Sequence, residues 1–166
     1  DLVRFGDLIE RAGYPRDDWT YWGRHRAAFA FMAAFTGPIT IYYGDEIGDE
    51  VPNFAQKVES NCWTVGLCDD HVSRTSGLID GVSTSLNNEQ RALKDYVAQL
   101  MDIRDTHRAL SQGERTHLGS NEATYVDLKS YNGENVIFVL NVSTNDQPVS
   151  VDTADVGGTT VVDLVN

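Results

Sequence analysis

The first clear pattern along the chain is a helical rhythm of apolar side chains. In "TYWGRHRAAFAFMAAFTG" (20–37), Ala28, Phe31, Met32 and Phe35 recur at three- and four-residue spacing, with alanine between them. Asp17 or Asp18 is placed to cap this helix, and Gly37–Pro38 to stop it. Apolar residues cover most of its circumference, which predicts burial on more than one side. "ITIYYG" (39–44) follows after a tight turn. Its apolar run is continuous rather than alternating, the pattern of a strand covered on both faces.

A second helix is predicted from about Asn88 to His107. Asn87 with Gln90 three positions later forms a capping box, and Leu93, Tyr96, Val97, Leu100 and Met101 line one face. "SQG" at 111–113 ends it. Between the two patterns, 44–86 is acidic and without period, apart from a short helix expected around "FAQKVESN". A loop of that length inside a domain signals either function or a missed element. From about 114 the period shortens. "ATYVDLKSY", "ENVIFVLNVS", "QPVSVDT" and "TTVVDLV" read as short strands separated by "NG", "TND" and "GG" turns. The fold class is therefore α/β plus all-β, divided near 113/114. One strand makes no sheet, so the first part reads as the end of something larger.

Composition narrows the partners. The 166 residues carry 25 acids against 13 bases, a net charge of −12, and 41% hydrophobic residues. A core can be buried, while phosphate backbones and anionic membranes are repelled; neutral ligands such as sugars fit this balance. No apolar run reaches the roughly 18 residues of a membrane span. Cys62 and Cys68 in "NCWTVGLCDD" match no zinc motif. Two thiols or a small disulfide loop fit the spacing; the disulfide is the reading adopted, and it implies an exported, extracellular or periplasmic protein. The chain opens on Asp1 without methionine or leader, as a processed product or a piece of a longer protein would.

These stretches resemble one family. "GPITIYYGDEIG" (37–48) is similar to the eighth barrel strand of the α-amylase family, glycoside hydrolase family 13. "LMDIRDTHRALSQG" (100–113) is similar to its last barrel helix, and "VIFVLNVS" to a strand of its C-terminal β-domain. The opening "DLVRF" has the D-x-x-R spacing of the family's N-H-D-x-x-R region. The resemblance implies that 1–113 is the C-terminal segment of a catalytic (β/α)8 TIM barrel, with helix 7, strand 8, an active-site loop and helix 8. Residues 114–166 would be a small, incomplete antiparallel β-sandwich domain.

The implied chemistry is retaining hydrolysis of α-1,4-glucosidic bonds, with α-glucan or malto-oligosaccharide as substrate. Asp1 would be the third catalytic carboxylate, stabilising the transition state. The nucleophile and general acid belong to strands outside this chain, so the chain alone is expected to be inactive and to need the rest of the barrel, as a companion chain if the protein is nicked. Asp70 and Arg74 in "DDHVSR" sit where many members carry D-P-x-x-R, here with histidine for proline; sugar recognition or a surface ion pair explains them equally. Trp63 offers a stacking face or loop packing. Asp45 is a candidate substrate contact, and Glu46 a structural hydrogen-bonding group. With Asp49 and Glu50 nearby, Asp45 and Glu46 could bind Ca²⁺, although a solvated acidic loop is the stronger expectation; no cofactor is certain. His25 and His107 read as structural. Transglycosylases, isomerases and α-glucosidases of the same family, a non-catalytic relative, and a carbohydrate-binding module remain alternatives.

Overall fold

The computed structural model describes residues 4–51 and 75–165. It divides into two compact units, Asp1–His25 with Ile41–Asp95 and Arg26–Thr40 with Tyr96–Asn166. In chain order the elements are α1 (Phe5–Arg11), α2 (Trp19–Ala33), a 3-10 turn (Asp45–Ile47), α3 (Asn88–Thr106), α4 (Arg108–Gln112), β1 (Glu114–Ser120), β2 (Thr124–Tyr131), β3 (Glu134–Asn141) and α5 (Thr153–Val156).

Asp18 rather than Asp17 supplies the cap of α2, its carboxylate accepting the Thr20 N–H at 2.8 Å. The buried stripe of α2 is Tyr21, His25, Phe29 and Ala33, one face at four-residue spacing, with Trp22 beside it. The expected stripe through Phe31 and Phe35 is instead the exposed one. There Phe31 meets the rings of Phe35, Tyr125 and Phe138 at 5.7 to 6.3 Å. Aromatic side chains grouped this way cover one another without full burial.

The start and face of α3 are as expected. Asn87 Oδ1 accepts the Gln90 N–H at 2.9 Å while Gln90 Oε1 accepts the Asn87 N–H at 3.1 Å. Leu93, Val97 and Leu100 are buried, and the stripe continues to Arg104. This guanidinium donates to the carbonyls of Ala33, Phe35, Leu110 and Gly37. It thereby satisfies carbonyls at and beyond the end of α2 that no intrahelical N–H can reach.

The β-region is a three-stranded antiparallel sheet, ordered β1-β2-β3. The Asn-Gly hairpin forms as read, with Asn132 and Gly133 both at positive φ (49° and 84°) between paired Tyr131 and Glu134. β1 had no sequence signal of its own, because it is largely exposed and polar. Its pairing with β2 shifts register between His117 and Gly119, a bulge at the sheet edge. "QPVSVDT" and "TTVVDLV" are not strands; the first runs into α5, capped by Asp152 on the Ala154 N–H. The expected strand at 39–44 does not form, and Tyr42 and Tyr43 are exposed. A strand needs a ladder partner, and none of the described residues supplies one here.

Candidate functional site

The "YGDEIG" motif folds as a tight turn because two glycines permit it. Gly44 (φ 88°) and Gly48 (φ 59°) both lie in the left-handed region on either side of the 3-10 turn. The Gly44 carbonyl accepts from both Ile47 and Asp49 N–H. A Cβ on Gly44 would come within 2.8 Å of Asp49 Cβ, so glycine also makes room for the carboxylates to converge.

They converge on Arg4, which is 2% exposed. Arg4 donates to the Tyr43 carbonyl at 2.5 Å, to Asp45 Oδ1 at 3.1 Å and to Thr75 Oγ1 at 2.6 Å. Asp49 lies 3.6 Å away and accepts the Thr75 hydroxyl at 2.5 Å. The guanidinium also lies against the rings of Tyr42 (4.6 Å) and Tyr43 (4.9 Å), which themselves touch at 4.5 Å. A planar, delocalised cation is suited to such a place: it forks to acceptors and stacks at the same time.

A second layer lies behind the turn. The Tyr21 hydroxyl donates to Glu50, and Arg16 pairs with the same carboxylate at 3.2 Å. Burial raises the Glu50 carboxyl against the pull of these partners. Asp7 accepts the Val51 N–H at 3.3 Å, and burial pushes its carboxyl up to about 7. His25 is buried with Nδ1 3.1 Å from the Tyr21 carbonyl, and burial lowers it to about 4. It is a structural, neutral histidine, as expected. His107 is structural too, with Nδ1 2.7 Å from Glu134.

Asp45 is the one sequence-selected site residue within the described part. Burial raises its carboxyl although Arg4 draws it down, and its side chain is 27% exposed. Asp1, Cys62, Trp63, Cys68, Asp70 and Arg74 lie outside the described residues. The solvated acidic loop expected at 45–50 is not observed: Asp49 is buried, and Arg4 and Arg16 supply the countercharge. Among the described residues, no group of three or more His, Cys, Asp or Glu is arranged to hold a metal ion. Thr75 and Asp7 carried no sequence signal, because each acts through a partner far away along the chain. The arrangement fixes a turn rigidly and presents Asp45 beside two half-exposed tyrosine faces, a surface able to hydrogen-bond and stack at once.

Comparison with known proteins agrees with the motifs. No family model matches the chain. A crystal structure of AmyP in complex with maltose aligns with 96% of this chain at 48% identity and a TM-score of 0.88. The Beta/alpha-amylase of Paenibacillus polymyxa is 26% identical over 155 residues, 93% of this chain. What the chain is similar to is a C-terminal portion of enzymes of the α-amylase family. It spans 32% of the AmyP chain and 11% of the Paenibacillus protein. An isomaltulose synthase from Erwinia rhapontici NX5 shares the fold at 19% identity, with a TM-score of 0.56 over 85% of this chain.

Proposed function

We propose that this chain is the C-terminal part of an exported, α-amylase-type retaining hydrolase that cleaves α-1,4-glucosidic bonds in starch and malto-oligosaccharides. The observation that carries the reading is the Arg4 cluster: it ties the D-x-x-R opening to the "YGDEIG" turn, two motifs of the family, in one rigid unit. The AmyP structures in complex with maltose and maltotriose support malto-oligosaccharides as the ligand class. In this reading 1–113 completes a (β/α)8 barrel, and 114–166 contributes to a β-sandwich.

The roles follow from the chemistry. Asp1, three residues before the anchored Arg4, is the third carboxylate. It hydrogen-bonds sugar hydroxyls more strongly in the distorted, positively charged transition state than in the ground state. The nucleophile and the general acid are supplied by residues outside this chain. Asp70 and Arg74 contact glucose units two or three positions away from the cleaved bond, Asp45 and Trp63 are further substrate contacts, and Cys62 and Cys68 form a disulfide.

The test uses the whole protein in which this chain occurs. It should hydrolyse maltotriose and soluble starch with retention of the anomeric configuration, followed by NMR. Asp1→Asn should lower kcat by roughly 10²–10³-fold, the range for losing one transition-state partner. Inversion, or unchanged kcat in Asp1→Asn, would overturn the proposal, as would turnover of sucrose to an isomer in place of starch cleavage.

A further inference from the structure

Thr75 serves two charges with one hydroxyl. Its Oγ1 accepts from Arg4 Nη2 at 2.6 Å and donates to Asp49 Oδ2 at 2.5 Å. A hydroxyl has one proton to give, so it can bridge the two only in this sense. The backbone of Thr75 is tied to the same place, because the Tyr43 hydroxyl donates to its carbonyl.

The rest of the guanidinium offers no substitute for this contact. Nη1 donates to the Tyr43 carbonyl and to Asp45, while Nε finds no acceptor among the described residues. Beyond Thr75, Nη2 has Asp49 at 3.6 Å, too far for a hydrogen bond. Arg4 and Asp49 are both buried, and buried charges left unpaired are costly. Without the hydroxyl they would close on one another. Going from 3.6 Å to the ~2.8 Å of a charged hydrogen bond displaces one or the other by about 0.8 Å.

Arg4 is also where the chain enters α1. It is the N-cap, with non-helical backbone (φ −56°, ψ 141°), and its carbonyl accepts the Leu8 N–H at 3.2 Å. A shift of its side chain is passed to this backbone, and Asp1 stands three residues earlier in the sequence. All these contacts are internal to one compact unit of the fold, and none depends on an outer face being free.

We propose that Thr75 is a positioning residue for the reaction: by holding Arg4 and Asp49 one hydroxyl apart, it sets the place of the Asp1 carboxylate at the cleaved bond. The inference rests on the role given to Asp1 above. Because that role favours the transition state over the ground state, its displacement lowers kcat and leaves KM nearly unchanged.

The experiment measures kcat and KM on maltotriose in the whole protein for Thr75→Val, Thr75→Ala and Thr75→Ser. The first two are also combined with Asp1→Asn. Thr75→Val and Thr75→Ala should each lower kcat roughly ten- to a hundredfold with KM within about twofold, the scale of a sub-ångström misplacement. Thr75→Ser keeps the hydroxyl and should hold kcat within about threefold of wild type. In the Asp1→Asn background, removing the hydroxyl should lower kcat no further, since it acts through Asp1. A threonine with a structural role alone would lower the melting temperature and leave kcat unchanged. That result, or losses that multiply with those of Asp1→Asn, would overturn this inference alone. Unchanged kcat in Asp1→Asn would overturn the proposed function, and this inference with it.

Discussion

Arg4 and Asp45 stand 41 residues apart in the sequence and are joined by a 3.1 Å hydrogen bond. Because Asp49 and the Tyr43 carbonyl converge on the same guanidinium, its removal leaves carboxylates facing one another with little water. Arg4→Ala should cost about 3 kcal/mol or more, as for other broken buried pairs. Arg4→Lys should recover only part of this, since an ammonium neither forks nor offers a planar face to the rings of Tyr42 and Tyr43. Urea unfolding midpoints of the two variants check both statements.

Gly44 and Gly13 separate two kinds of strain. Both have positive φ, 88° and 92°. A Cβ on Gly13 meets nothing within 4 Å, whereas one on Gly44 meets Asp49 Cβ at 2.8 Å and Arg4 at 3.2 Å. Gly13→Ala should therefore cost only backbone strain, about 1 kcal/mol, and Gly44→Ala clearly more. Equal losses in thermal melts would show that the turn gives way to accommodate the methyl.

Two buried groups drive stability in opposite directions over nearly the same pH range. Asp7 is raised from 3.8 to about 7, so the folded state holds its proton more tightly. Its contribution is complete below pH 3.8 and is lost as pH rises towards 7. His25 is lowered from 6.5 to about 4, so its contribution is complete above 6.5 and is lost as pH falls towards 4. Asp7→Asn should leave a stability that rises with pH between about 4 and 6.5. His25→Gln should leave one that falls across about 4 to 7. Melting temperatures measured from pH 4 to 8 give both slopes, and identical slopes in the two variants would contradict this assignment.

Glu134 caps a helix from another element. Its carboxylate accepts the Ala109 N–H at 2.9 Å in the first turn of α4, and its other oxygen faces His107. The Ala109 hydrogen bond is the main cause that holds its carboxyl below the ordinary value. The contribution is thus present above the usual glutamate range and lost as pH falls through it. Glu134→Ala should cost about 1 kcal/mol near neutral pH and less at pH 3. Urea midpoints at the two pH values provide the check.

Legibility in the sequence followed locality. The capping box at Asn87, the stripe through Leu93, Val97 and Leu100, and the Asn132–Gly133 turn depend on residues within a few positions, and each was readable. β1 was missed because "ERTHLGS" is exposed and polar, and its pairing partner decides its conformation. The strand expected at 39–44 has the right residues, yet a ladder partner is a property of the surroundings and not of the run. At the site, "YGDEIG" was visible as a motif. That Arg4 and Thr75 would close on it was not, because a long-range hydrogen bond leaves no periodic trace. Family resemblance supplied what physics alone did not, and the match to AmyP agrees with it.

Arg104 also says something about time. The carbonyls at the end of α2 receive their donors from a residue up to 71 positions later in the chain. Until that residue arrives, water is their only solvent and the last turn of α2 can fray. The order of events during synthesis is thereby constrained: the first turns of α2 can form early, while its end matures only after α3 has been made and docked.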